Sequence, residues 1–244
     1  MEPLAGGRIL LDGVDLATLP LRDVRARRPR GLVIIPQDPV LFSGNLRNCL
    51  DPFGLHPDTD LFEVLESVGL KDVIQEAASD KPSLAHETAV GDGRLRTSSS
   101  LGTGGLLDSI VTEGGGNWSV GERQLLAMAR ALLERPRVLI LDEATASIDG
   151  ETDARIQRML RELPRLRTGV TIISIAHRLN TIMDFDEVLV MSAGTAAEIG
   201  NPASLLAKSP PGHFAMLVDS TGKENAAMLR SLAVEAAAAV ASRQ

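Results

Sequence analysis

Short apolar runs that alternate with helical patterns constrain the fold of this 244-residue chain more than any other feature. The runs are continuously hydrophobic rather than alternating, which is typical of strands covered on both faces of a sheet. They lie at residues 8–11, 32–35, 138–141, 170–176 and 188–191. Amphipathic helical spacing occurs at residues 58–68, 122–133 and 151–163. This alternation predicts an α/β fold with a mostly parallel sheet.

Composition argues against several classes of protein. The chain has 25 Lys and Arg against 32 Asp and Glu, and aromatic residues make up only 2%. A basic surface and stacking aromatics are typical of nucleic-acid binders, so we expect no nucleic-acid partner. A single cysteine excludes an internal disulfide framework. No apolar run reaches the roughly 20 residues that span a bilayer, so we expect no transmembrane segment in the chain itself.

Three further segments carry their own predictions. Residues 94–105 are rich in Ser, Gly and Thr, which favours a flexible surface loop within an insertion around residues 77–106. Residues 226–242 are rich in alanine and are predicted to be helical. The arginines of residues 22–30 favour a solvated face over contact with an acidic membrane or partner.

Two acids follow the apolar run at residues 138–141. Asp142 and Glu143 are therefore predicted at the carboxyl edge of a parallel sheet, where such folds bind ligands. Adjacent carboxylates suit a magnesium–nucleotide site, in which one holds the metal and the other orients or deprotonates a water. A strand followed by an acidic helix cap is the alternative, and the residues alone leave both open.

The segment NWSVGERQ precedes the strongest helical pattern. Ser119 and Glu122 fit a capping box, in which each side chain satisfies a backbone N–H of the other residue. The same helix start also suits a phosphate, because its free N–H groups attract anions and Gly121 allows a close approach. Both interpretations can hold together.

Gln37 and His177 close two other apolar runs. Gln37 could bind magnesium or the attacking water, although a Gln at such a place is most often a loop residue. His177 could contact a phosphate, although a lone histidine is as often structural or exposed.

The ordered set of motifs resembles the ATP-binding cassette family. Gln37 resembles its Q-loop, residues 119–124 its signature, residues 138–143 its Walker B strand, residues 147–149 its D-loop and His177 its switch histidine. Longer phrases resemble the C-terminal nucleotide-binding domain of subfamily C, the multidrug-resistance-associated type. They are IIPQDPVLFSGNLRNCLDPF, EGGGNWSVGERQLL and SIAHRLNTIMDFDEVLVM.

The resemblance implies a P-loop NTPase-like ATPase core with a helical subdomain that carries the signature, the first part of the core being absent. Residues 1–53 would be truncated core with the Q-loop, and residues 54–135 the helical subdomain. Residues 136–220 would complete the core, and residues 221–244 would form a helical tail.

The resemblance also implies roles at the chain's own nucleotide site. Asp142 and Gln37 would hold magnesium, and Gln37 would link that metal to the membrane domain. Glu143 would be the general base for the attacking water, and His177 would touch the γ-phosphate of ATP.

A second cassette would pair head-to-tail with this one. Ser119 and Gly121 would cap the γ-phosphate of ATP held by that partner, with Glu122 beside the same seat, and Asp149 would communicate across the interface. The expected partners are therefore a second nucleotide-binding domain and the membrane helices of an exporter. That exporter would move organic anions or drug-like solutes from the cytosolic face of a membrane.

Two departures from the family pattern matter. No G-x-x-x-x-G-K-[ST] loop occurs in the chain, which predicts an N-terminal truncation and no ATPase activity of these residues alone. Glu122 stands where the family most often has Gln, so its carboxylate either lies in the capping box or weakens phosphate binding. A degenerate cassette that only donates its signature is the main alternative. A soluble cassette of translation or DNA repair fits less well, because basic patches and long coiled-coil insertions are missing.

Overall fold

A computed structural model describes residues 6–20, 31–70, 104–145, 148–166 and 169–242. Internal contacts divide the chain into two units, Met1–Ile173 and Ser174–Gln244. The arginines of residues 22–30 and most of the predicted insertion at residues 77–106 lie outside the described residues.

The strands in chain order are β1 (Leu10–Leu11), β2 (Val14–Asp15), β3 (Leu32–Ile35), β4 (Gly44–Asn45), β5 (Ile110–Val111), β6 (Val138–Asp142), β7 (Thr171–Ile175), β8 (Val188–Ser192) and β9 (Thr195–Gly200). The α-helices are α1 (Leu46–Leu50), α2 (Asp58–Ser67), α3 (Gly104–Leu107), α4 (Val120–Leu133), α5 (Gly150–Leu166), α6 (Pro202–Leu206), α7 (His213–Asp219) and α8 (Lys223–Ala241). Short 3₁₀ helices occur at Leu16–Thr18, Glu113–Gly115 and Leu179–Ile182.

The central sheet has the order β3-β6-β7, and β3 runs parallel to β6. The other described pairs, β1–β2, β4–β5 and β8–β9, are short antiparallel ladders. The predicted α/β fold with a parallel sheet is therefore confirmed. The predicted strands agree with the structure to within two residues at each end.

The prediction that these strands are covered on both faces holds for the central strand β6, where Val138, Leu139 and Leu141 are buried, and is wrong for the described residues of β3 and β7. Val33 and Ile172 pack against the main core, whereas Ile34 and Ile173 on the other side are 51% and 49% exposed. A continuous apolar run shows that both faces of a strand are hydrophobic. It does not show whether other residues of the described chain pack against both faces.

Helix α4 is the most buried helix of the first unit. Its buried residues include Leu125, Leu126 and Leu132, and it packs against α2 and β3 within a single large core. Helix α5 runs to Leu166, three residues beyond its predicted end. The predicted loop at residues 94–105 ends too late, because α3 begins at Gly104 and buries Leu106 and Leu107.

The described part of the second unit contains the hairpin of β8 and β9, one 3₁₀ helix and the three α-helices α6, α7 and α8. Its core contains Phe214, Leu205 and Val218, and the predicted tail helix, α8, contributes Leu229 to it. Burying such side chains compensates for the weak intrinsic stability of an isolated alanine-rich helix. None of the helices in the described residues is both long and apolar enough to cross a membrane.

Candidate nucleotide-facing site

Gln37, Asp142 and Glu143 lie at one edge of the central sheet. The last paired residues of the parallel strands β3 and β6 are Ile35 and Leu141, so Gln37 and Glu143 each lie two residues beyond that pair. Gln37 and Asp142 are exposed and Glu143 is half-buried. The carboxyl edge of the sheet thus carries an amide and two carboxylates.

The backbone at Glu143 is unusual. Its φ of 48° lies in the left-handed region, which costs a residue with a Cβ roughly 1–2 kcal/mol. Strain of this kind is concentrated at functional sites. Among the described residues, the carboxylates of Asp142 and Glu143 make no hydrogen bond or ion pair. Both carboxylates are therefore available to a ligand.

The donor set at this edge fits a magnesium ion that is bound together with phosphate oxygens. Magnesium takes oxygen ligands and usually relies on one or two carboxylates, water and the phosphates of its substrate. No cluster of three or more His, Cys, Asp or Glu side chains that could hold a metal by itself occurs in the described residues. The edge can therefore complete a metal–nucleotide site but offers no cage for a free ion.

The first turn of α4 is closed by the predicted capping box. The Glu122 N–H donates to Ser119 Oγ at 3.2 Å, and the Ser119 N–H donates to Glu122 Oε2 at 2.7 Å. Of the two predicted placements of Glu122, the structure shows the carboxylate in the capping box. Ser119 itself is exposed at the helix start.

Gly121 faces a side chain of its own unit. The residue is buried, and a Cβ added to it would lie 3.0 Å from Cγ2 and 3.1 Å from Oγ1 of Thr152 on α5. The missing side chain therefore allows α4 and α5 to approach each other. That Gly121 also allows a phosphate to approach remains a prediction.

Asp149 caps the start of α5. Its Oδ1 accepts hydrogen bonds from the Thr152 N–H at 2.9 Å and the Glu151 N–H at 3.0 Å. These bonds, that from Thr152 above all, lower the pKa of the Asp149 carboxyl. Ser147, in the same motif, lies outside the described residues.

His177 follows β7 and belongs to the second unit. Its side chain is exposed. Its predicted meeting with the carboxylates of the first unit remains a prediction.

Two residues of α4 to which the sequence assigned no individual role touch the segment around Gln37. Gln124 Nε2 donates to the carbonyl of Pro36 at 3.2 Å, and the Arg130 guanidinium donates to the carbonyl of Val40 at 3.3 Å. The available sequence signal was a glutamine on the apolar face of a helix, where a buried amide needs a partner.

The match to a protein family decides the identity of the chain. A family model described as ABC transporter matches residues 1–146. The chain belongs to the ABC transporter family.

Relatives place this ABC domain in subfamily C. It is 47% identical over 93% of its length to ABC transporter C family member 3 of Dictyostelium discoideum, and covers 14% of that protein. It is 42% identical over 91% of its length to ATP-binding cassette sub-family C member 2 of Homo sapiens, and covers 12% of it. It is 41% identical over 94% of its length to a probable multidrug resistance-associated protein of Drosophila melanogaster, lethal(2)03659, and covers 14% of it.

A solved structure shows the same fold. A bacterial Atm1-family ABC exporter with ATP bound matches 90% of this chain with a TM-score of 0.68 and 30% identity. The ABC domain covers 33% of that exporter chain. Membership in this family makes the chain part of a nucleotide-binding domain of proteins that are generally ATPases.

Proposed function

We propose that this ABC domain binds magnesium and ATP jointly with a second nucleotide-binding domain and so drives an exporter. Two separate groups of residues support the proposal. Within the described residues, the carboxylates of Asp142 and Glu143 at the sheet edge have no hydrogen-bond or ion-pair partner. The N-terminus of α4 is capped by Ser119, which is exposed. These carboxylates carry the proposal, because they are solvent-accessible at the carboxyl edge of the sheet and their oxygens are free to bind a cation.

The sheet edge supplies the groups for the chain's own nucleotide. Asp142 and the Gln37 amide oxygen bind magnesium, which when present neutralises phosphate charge. Glu143 accepts a proton from the attacking water, and His177 donates a hydrogen bond to the terminal phosphate. Asp149 contacts the partner domain near the same interface.

The helix start of α4 supplies the groups for the partner's nucleotide. The Ser119 hydroxyl and the amide at Gly121 donate to the terminal phosphate of ATP on the second domain. The positive end of the α4 dipole adds to this attraction. The Glu122 carboxylate accepts from the Ser119 N–H, which offsets part of its charge beside the phosphate.

These 244 residues by themselves hold ATP weakly and do not hydrolyse it. The sequence contains no Gly-rich loop ending in Gly-Lys-Ser or Gly-Lys-Thr. The backbone nest and lysine of such a loop normally supply most of the grip on the β- and γ-phosphates. Phosphoryl transfer depends on that positioning and charge, so its loss removes turnover.

The transporter that contains this domain moves organic anions or drug-like solutes. Its membrane helices set the substrate, and this domain lies against them on the cytosolic face. The name multidrug resistance-associated protein, which the Drosophila relative carries, supports this substrate class. The chain spans only 14% of that relative, so the membrane part of the proposal depends on similarity rather than on residues of this chain.

A degenerate cassette that only donates its signature is the second candidate. The preorganised first turn of α4 favours it. Under this alternative, substitutions at Asp142 and Glu143 leave transport unchanged once the domain is placed in a complete transporter.

Equilibrium dialysis with labelled ATP and magnesium tests the proposal. We expect negligible ATP binding by the purified chain. Mixing it with a subfamily C cassette that carries its own phosphate loop should raise ATP retention above that of the second cassette alone. Tight ATP binding and turnover by the isolated chain, abolished by Glu143→Gln, contradicts the weak-binding part. No gain on mixing contradicts the pairing part.

A further inference from the structure

Helix α4 holds both ends of the loop that carries Gln37. This loop, residues 36–40, begins with the Pro36 carbonyl, which accepts from Gln124 Nε2 at 3.2 Å. It ends with the Val40 carbonyl, which accepts from the Arg130 guanidinium at 3.3 Å. The two donors are six residues apart on α4, which is about 9 Å along a helix.

The loop depends on these side chains because its own backbone offers few donors. Pro36 and Pro39 have no N–H, so neither can anchor the loop to a neighbouring carbonyl. Gln124 is 2% exposed, and its amide would lose a partner if the loop moved away. The Arg130 guanidinium also lies 5.9 Å from the centroid of the Phe42 ring, just beyond the loop.

We infer that Gln124 and Arg130 are positioning residues that fasten the Gln37 loop to the helix that begins with the signature motif. Gln37 and Ser119 are then joined through one rigid element, α4. A shift at the partner's phosphate is thereby transmitted to the chain's own metal ligand. The attachment of the Gln37 loop to α4 follows from the two hydrogen bonds, whereas its effect on magnesium binding rests on the proposed function.

Cys49 provides a native reporter of this contact. It is the single cysteine of the chain and is 1% exposed. Burial raises the pKa of its thiol, while the charge of Arg130 and a hydrogen bond involving the Phe42 backbone act in the opposite direction. Because the segment ending at Phe42 lies against the thiol, opening of the loop should expose it to a labelling reagent.

The first experiment measures the rate at which an aromatic disulfide reagent labels Cys49 in low urea. Gln124→Met removes one neutral hydrogen bond and should accelerate labelling about fivefold, without dependence on urea. Gln157→Met is the matched control, because Gln157 bonds to Asp153 within α5, away from the loop. A rate for Gln124→Met equal to that of the control, or one that follows global unfolding in urea, overturns the inference.

Arg130 is tested by conservative rescue. Arg130→Met should also accelerate labelling, because the Val40 carbonyl loses its guanidinium donor. Arg130→Lys, which keeps a charged donor, should restore part of the slow rate. Since Arg130 also influences the thiol pKa, both variants are compared through full pH–rate profiles. Equal opening in the Lys and Met variants contradicts a role for the hydrogen bond.

The second experiment measures how much magnesium is needed for ATP-dependent association with a second cassette. Gln124→Met should raise the half-saturating magnesium concentration severalfold. The same substitution should have no further effect in a Gln37→Ala background, whereas a general loss of stability would act equally in both. Additive effects refute the coupling to Gln37. Failure of the unmodified chain to associate refutes the proposed function instead. In that case the labelling of Cys49 still tests whether Gln124 and Arg130 hold the Gln37 loop against α4.

Discussion

The start of α4 is held by its own cap and by α5, whereas the carboxylates at the end of β6 make no contacts of this kind within the described residues. Ser119 and Glu122 satisfy each other's backbone groups, and Gly121 is packed against Thr152. Asp142 and Glu143 have no polar partner there, and Glu143 has a strained backbone. A preorganised surface loses little entropy when a partner docks. Unpaired carboxylates instead keep their lone pairs for a cation.

The largest predicted effect is at Gly121. Gly121→Ala places a Cβ 3.0 Å from Thr152 Cγ2, and overpacking of this kind costs about 1–3 kcal/mol. Chemical denaturation should show this loss. Thr152→Ser removes the Cγ2 methyl and keeps the hydroxyl that bonds to Asp149, so the double variant should regain part of the stability. An unrestored double variant would show that Gly121 is needed for something other than the contact with α5.

The next effect is at the helix cap. Ser119→Ala removes the acceptor for the Glu122 N–H and should cost about 1 kcal/mol of unfolding free energy. Asp142→Asn, at the unpartnered edge, is the matched control and should stay within about 0.5 kcal/mol of the unmodified chain. The comparison fails if the Asp142 variant loses as much stability as the Ser119 variant.

A smaller effect of unusual sign is expected at Glu143. Glycine normally destabilises a chain relative to alanine, but φ at this position is 48°. Glu143→Gly should therefore be more stable than Glu143→Ala by about 0.5–1 kcal/mol. Both variants lose the carboxylate, so their difference reports the backbone alone. Alanine equal to or better than glycine would remove the evidence for strain at the sheet edge.

The smallest effect is a pH dependence at Asp149. The Thr152 N–H, first among its partners, lowers the pKa of this carboxyl below its ordinary value of 3.8. The stabilisation is therefore present above that ordinary pKa and is lost as pH falls below it. Acid titration of stability should show a shallower decline for Asp149→Asn than for the unmodified chain. Identical acid profiles would mean that the cap does not favour the charged form.

The sequence predicted the parts of this molecule that are specified locally. The apolar run at β3 predicts a strand, and the S-x-x-E pattern at the start of α4 predicts a capping box. Each prediction needs only neighbouring residues, and both agree with the structure. The resemblance of the motifs to the ABC family also led to the correct family.

Contacts between distant residues could not be predicted in this way. Gln124 and Pro36 are 88 positions apart in the sequence. The residues around each of them contain no signal that predicts a contact with the other. The contact of Gly121 with Thr152 depends on how two helices pack, and an apolar pattern gives only the face of each. The exposure of Ile34 has the same origin, because covering a strand is a property of the whole fold.

Under the proposed function, the signature end of this chain binds the partner's nucleotide, and the sheet edge binds the chain's own nucleotide. The most direct test is magnesium–ATP-dependent association with a second subfamily C cassette, measured by light scattering. Ser119→Asp and Ser119→Asn both retain a good helix cap, but only the first places a charge against the partner's phosphate. We predict that Ser119→Asp abolishes association, that Ser119→Asn retains it, and that Glu143→Gln leaves it intact. Association that survives Ser119→Asp but is lost in Glu143→Gln would contradict the account.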